Sequence, residues 1–209
     1  HTQSIDKNGT NLKEVKDTLT DPAYTNIFFS QSKITPPQMN LLYNMADVTA
    51  LISSNEGWGL SLTESMMTGK MIIANTTGGM QDQMRFTKEG KWIDFTPNFP
   101  SNHRGTVKEH GEWAVPVYPK SIGLSGSVPT PYIFDSRCDI EDVANAIKEV
   151  YDLSPTERMR RGMKGREWVT SDESQMSAAN MCKNIINVID RGLETFTPRT
   201  KVDVIKVED

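Results

Sequence analysis

The sequence predicts an α/β fold, a parallel sheet with helices on its faces and a long irregular insertion. Three observations carry this. Short unbroken apolar runs alternate with amphipathic stretches over the first eighty residues. The connections between them are only a few residues long, the rhythm of parallel strands joined by crossover helices. The runs lack polar alternation, as expected of strands covered on both sides.

The elements follow in order. Leu12, Val15 and Leu19 recur at helical spacing behind Asn11, a good N-cap. Residues 26–30 (Asn-Ile-Phe-Phe-Ser) form an apolar run and are expected to be a buried strand. Thr35-Pro36-Pro37 opens a helix carrying Met39, Leu42, Tyr43 and Ala46, because proline suits the first helical position. Residues 48–52 are the next strand and residues 53–60 a loop with two glycines. A helix over 61–68 ends at Gly69, where a left-handed cap belongs. Residues 71–74 are a strand and 75–79 a loop with paired glycines.

From about Thr87 to Tyr132 the periodicity weakens among six prolines and several aromatics, Trp92, Phe95, Phe99, Trp113 and Tyr118 foremost. This stretch reads as an insertion with hairpin pieces, anchored by its aromatics. Helical patterns return at 140–153 behind Asp139 and after the Ser154-Pro155-Thr156-Glu157 capping signature. Ala179, Cys182, Ile186, Ile189 and Leu193 make a last stripe, with Cys182 expected in the core. Residues 1–195 are thus taken as one domain and 196–209 as a tail.

The 209 residues suffice for a core without disulfides. The two cysteines, Cys138 and Cys182, allow one bridge at most and lack metal-ligand spacing. A mean hydropathy of −0.50 and the lack of a long apolar run exclude a transmembrane helix. The net charge of −4 gives no bulk grip on nucleic acid or anionic lipid. The chain starts without Met and without a signal-peptide pattern, so it is expected to be a piece of a longer, cytoplasmic enzyme.

The chemistry is expected between Asp47 and Gly79. A strand end, the loop Glu56-Gly57-Trp58-Gly59-Leu60 and a helix containing Glu64 follow one another. Ligands of open parallel sheets bind outside the carboxyl ends of the strands, and a helix start aims N–H groups at an anion. Carboxylates suit sugar hydroxyls, not phosphate, so the set describes a nucleotide-sugar site. The residues alone leave a second reading open: an ordinary βα loop in which Glu64 merely complements the helix dipole. His103, His110, Glu109 and Glu112 match no metal-ligand spacing. The basic run Arg158 to Arg166 reads as a solvated helix face.

The segments 42–48 (Leu-Tyr-Asn-Met-Ala-Asp-Val), 54–60 (Ser-Asn-Glu-Gly-Trp-Gly-Leu), 64–70 (Glu-Ser-Met-Met-Thr-Gly-Lys) and 73–79 (Ile-Ala-Asn-Thr-Thr-Gly-Gly) resemble the C-terminal, donor-binding domain of GT-B fold retaining glycosyltransferases. The similarity is to glycosyltransferase family 4, also called group 1, whose Glu-x7-Glu signature Glu56 and Glu64 match. It implies a Rossmann-like domain, one half of GT-B, that transfers a sugar from a nucleotide-diphosphate sugar, a UDP- or GDP-sugar first of all, with retention. It also implies that Glu56 acts catalytically on the donor sugar. Gly57, Trp58, Gly59 and Leu60 would offer backbone N–H groups to sugar and diphosphate, and Glu64 would grip the ribose. Ile34 would wall the nucleobase, and Gly78 and Gly79 would close the cleft. No metal or other cofactor is implied. The family's phosphate-clamping Arg and Lys, and its N-terminal acceptor domain, lie outside the matching residues, so the isolated chain is expected to be inactive. Two alternatives are a GT-B-like binding or structural module without transfer activity, and another GT-B chemistry such as sugar-nucleotide epimerisation or phosphorolysis.

Overall fold

The computed structural model describes residues 10–198 except Pro22, Thr25, Val128 and Pro129; most of the expected tail lies outside the described residues. The chain forms two compact units, residues 1–42 and 43–209.

In the first unit, helix α1 (Leu12–Leu19) is capped as expected: Asn11 Oδ1 accepts from the N–H groups of Lys13 and Glu14 at 3.2 and 3.4 Å. Helix α2 (Pro36–Met45) starts here and ends in the second unit. The Thr35 N–H donates to Gln38 Oε1 at 2.8 Å, one arm of a capping box. Residues 26–30 form no strand, and Phe28 is 86% exposed. An apolar run specifies only that a segment is greasy; a strand also needs a ladder to pair with, which composition does not supply.

The second unit is built on a parallel sheet of β1 (Val48–Leu51), β2 (Met71–Asn75) and β5 (Ala114–Val117), in the order β1-β2-β5. Between β2 and β5 lie helix α4 (Met80–Met84) and a small hairpin, β3 (Thr87–Lys88) with β4 (Lys91–Trp92). Helix α3 (Leu60–Met67) joins β1 to β2. After β5 come the hairpin β6 (Ser121–Ser127) and β7 (Thr130–Arg137), then α5 (Ile140–Asp152), α6 (Pro155–Val169) and α7 (Ala178–Thr195).

The central strand β2 is buried throughout and sends alternate side chains to two cores. Ile72 and Ala74 pack with Leu62 and Met66 of α3, Met80 and Met84 of α4, and Trp168 of α6. Met71 and Ile73 pack with Ala146 and Val150 of α5. Helices on both faces are what the unbroken apolar strands required. The stretch read as an insertion needs one correction, because it contains β5, the third strand of the parallel sheet. Pro116 hid it. Proline has no N–H for a ladder and reads as a breaker, yet it is tolerated on the outer strand of such a sheet; here it sits in register with Ala74. The aromatics anchor this stretch as expected: Trp113 stacks on Trp168 at 5.0 Å and Trp92 lies 5.5 Å from Trp168.

Helix α6 packs tightly on the turn after α3. A Cβ at Gly162 would lie 2.0 Å from the Gly69 carbonyl oxygen, so only glycine fits. Much of the basic run on α6 is paired locally. Arg158 donates to the carbonyls of Val150, Tyr151 and Leu153, closing the end of α5. Arg160 and Arg161 pair with Glu157, whose carboxyl they hold down to about 2. Arg160 also reaches Glu112.

Helix α7 departs from expectation. It buries only Asn180, while Ile186, Ile189 and Leu193 are more than half exposed. Cys182 is likewise exposed, not in the core, because the helix turns its stripe away from the sheet. Both cysteines are free. Burial and the nearby Asp142 charge push the Cys138 thiol up to about 11. Only the thiolate alkylates, so at pH 8 iodoacetamide is expected to label Cys182 first. Cys138 should react only on unfolding or as the pH nears its raised value. Equal labelling rates by mass spectrometry at pH 8 would contradict this.

Candidate functional site

The loops leaving the carboxyl ends of β1 and β2 lie side by side, where an open parallel sheet places its ligands. The first is residues 52–59 and the second 76–79. Their contact is backbone to backbone. Gly78 has φ +50°, and a Cβ there would lie 2.0 Å from the Glu56 carbonyl oxygen. A Cβ at Gly79 would lie 2.4 Å from the Gly57 oxygen and 2.8 Å from the Trp58 ring. Glycines are therefore required here so that one loop can brace the other. Gly57 differs: open space surrounds the position its Cβ would take.

A buried polar chain fixes the first loop from beneath. Trp58 Nε1 donates to Thr63 Oγ1 at 2.9 Å, and Thr63 donates to Gln83 Oε1 at 2.7 Å. Gln83 Nε2 returns to the Trp58 carbonyl at 2.6 Å. The loop is thereby tied to α3 and α4 at both its indole and its backbone. Gln83 is fully buried, so losing any partner strands a polar group at a cost of roughly 1–3 kcal/mol.

Above this frame, Glu56 is half-buried in the loop. Glu64 is exposed one turn into α3 and accepts from the Tyr43 hydroxyl at 2.8 Å. The Tyr43 phenol is raised well above its ordinary value by burial first, then by its bond to Glu64 and that carboxylate's charge. Tyr43 thus stays a donor and orients Glu64. Gly59 begins α3 with no side-chain cap, and Leu60 beside it is 68% exposed. First-turn N–H groups without a cap favour an anion. Glu56 through Leu60, Glu64, Gly78 and Gly79 all belong to the second unit. Ile34 belongs to the first and is half-buried.

The β6–β7 hairpin reaches the same strand ends. Fully buried Asn75, the last residue of β2, donates through Nδ2 to the carbonyls of Ser53 at 3.0 Å and Ser136 at 2.6 Å. Asn55 donates to the Phe134 carbonyl at 3.0 Å. Between hairpin and loops opens a cavity of about 680 Å3, bordered by Thr77, Gly78, Asp82, Phe95 and Phe134. His103 borders it as well, whereas His110 turns its ring to the Gly111 carbonyl and Glu112 is held by Arg160. Among the described residues no three His, Cys, Asp or Glu side chains are placed to hold a metal.

Four residues of this region escaped the sequence reading. Asn75 gave a faint signal, a polar residue closing a buried apolar strand. Tyr43 stood inside the quoted motif without a role. Gln83 and Ser136 gave none, because their partners are far off in sequence.

Residues 9–99 match the family described as glycosyl transferases group 1. The matched segment is less than half of the chain and includes both loops and Glu64. Over 59 residues the chain is 36% identical to the D-inositol 3-phosphate glycosyltransferase of Corynebacterium urealyticum, an alignment covering 28% of this chain and 14% of that protein. The chain therefore spans only a small part of that relative's length. The resemblance to group 1 glycosyltransferases holds over residues 9–99, and the α/β architecture with a parallel sheet agrees with one half of the GT-B fold. Among the described residues no helix is long and apolar enough to cross a membrane.

The loop contact yields a paired expectation. Gly78→Ala should lose about 2–4 kcal/mol, since it adds both a clash and positive-φ strain. Gly57→Ala, with open space, should stay within about 1 kcal/mol of the parent. Urea unfolding followed by tryptophan fluorescence compares the two, and equal midpoints would refute the bracing contact.

Proposed function

We propose that this chain is the donor-binding part of a glycosyltransferase that takes a sugar from a nucleotide diphosphate and transfers it with retention. One observation carries the reading: the uncapped start of α3 lies between Glu56 on the loop before it and Glu64 one turn along it. The helix N–H groups suit the diphosphate, and the carboxylates suit the hydroxyls on either side of it.

In this reading Glu64, steadied by Tyr43, accepts from the ribose hydroxyls. Glu56 positions the donor sugar. The N–H groups of Gly57 to Leu60 line the diphosphate, with Gly78 and Gly79 bracing them. As the anomeric bond breaks, negative charge gathers on the diphosphate. A helix start already aimed at it stabilises that charge with little reorganisation. In this reading, as the family resemblance implies, the reaction calls on no metal. The acceptor domain would come from the remainder of a longer protein, and two free thiols suit a reducing, cytoplasmic compartment. The relative's name brings inositol 3-phosphate forward as one acceptor to try.

Calorimetric titration with UDP, GDP and ADP and their glucose and mannose conjugates tests the donor site. One base should bind, and Glu64→Ala should weaken it by more than about 1 kcal/mol, the scale of a lost charged hydrogen bond. Tyr43→Phe should have a smaller effect of the same sign. No binding of any of the three by the full-length protein, or an unchanged affinity in Glu64→Ala, would overturn the reading.

A further inference from the structure

Among the described residues nothing covers the apolar face of helix α7. Of its 18 residues only Asn180 is buried and every other one is exposed. A contiguous exposed apolar stripe marks an interaction surface, and the spacing of this one is that of a helix pair. Ala179, Cys182, Ile186, Ile189, Leu193 and Phe196 follow one another at intervals of three and four, an unbroken heptad seam.

The order of sizes along the seam selects the partner. Small Ala179 and Cys182 stand at one end, bulky Leu193 and Phe196 at the other. Two copies running the same way would set small on small and bulky on bulky, with a gap at one end and crowding at the other. Two copies running in opposite directions even this out. Ala179 then meets Phe196 of the second copy, Cys182 meets its Leu193, and Ile186 meets its Ile189, so every layer has a similar volume. The charges select the same arrangement. Lys183 and Asp190 flank the seam one heptad apart. In the antiparallel pair Lys183 faces Asp190 of the second copy, twice by the two-fold axis. In a parallel pair they would face only Ala178 and Ile185 of the other helix. On the opposite flank Ile185 falls over Gly192 of the second copy, where no side chain stands.

We propose that α7 joins two copies of this protein in an antiparallel helix pair, seamed from Ala179 to Phe196 and held in register by the two Lys183–Asp190 contacts. Asn184, Arg191 and Glu194 stay on the solvent side of the pair. A helix of this length spans only ~27 Å. The contact is therefore at the small end of specific interfaces, and association is expected in the micromolar range. Nothing in the pairing depends on the glycosyl-transfer reading.

Sedimentation equilibrium of the full-length protein, under reducing conditions and over a micromolar concentration series, tests the pairing. A monomer–dimer equilibrium is expected, and Cys182 alkylation should slow as the dimer forms. Ile189→Asp should abolish the dimer. Ile189 is exposed in the single chain, so its replacement leaves the core intact. Lys183→Asp and Asp190→Lys should each weaken dimerisation by about tenfold, because each sets like charges opposite one another twice. The double exchange, Lys183→Asp with Asp190→Lys, should restore it. A monomer at every concentration would overturn the proposal, whether another part of the chain or a different protein then covers the stripe. So would a dimer indifferent to Ile189→Asp, or one that the double exchange fails to restore.

Discussion

Gly78 lies so close to the carbonyl of Glu56 that its missing Cβ is a condition of the structure. The contact follows from the sheet. β1 and β2 are parallel neighbours in register from Val48 on Met71 to Leu51 on Ala74. Their chains leave on the same side only a few residues apart, and two loops with side chains would not share that space. Once the glycines let them touch, the carbonyls and N–H groups of Glu56 to Gly59 are set by packing as well as by their own torsions. Whatever binds at the start of α3 meets a braced backbone.

Beneath the braced loop the Trp58–Thr63–Gln83 chain does a second job. It satisfies buried polar groups that the bend in the backbone would otherwise strand. Trp113 also donates its indole N–H to the Gln83 carbonyl at 3.0 Å. That bond links the site's foundation to the Trp113–Trp168 stack and so to α6. A disturbance in the closing helix therefore has a physical route to the loop. The same economy recurs above, where Asn75 ends β2 and ties the hairpin to the strand ends.

The sequence made the β1-α3-β2 frame legible because its signals are local. Apolar runs, a glycine after α3, and caps such as Asn11, Asp139 and Ser154 act within a few residues and appeared where expected. Misreadings came where the deciding contact is distant. Residues 26–30 had strand composition without a ladder, and Pro116 masked a real strand whose partner, Ala74, lies forty-two positions earlier. The stripe on α7 shows the converse limit. Periodicity reports a helix faithfully, but not whether its apolar side meets the sheet. At the site, the carboxylates and glycines stood out by spacing, while Gln83 and Ser136 act through partners that no local pattern reveals.

The most direct test of the braced-loop site is hydrogen–deuterium exchange of the protein with and without a UDP- or GDP-sugar. The account predicts slowed exchange in peptides spanning residues 54–64 and 76–84 together, because the two loops move as one. Protection confined to one loop, or located only on α5 to α7, would contradict it.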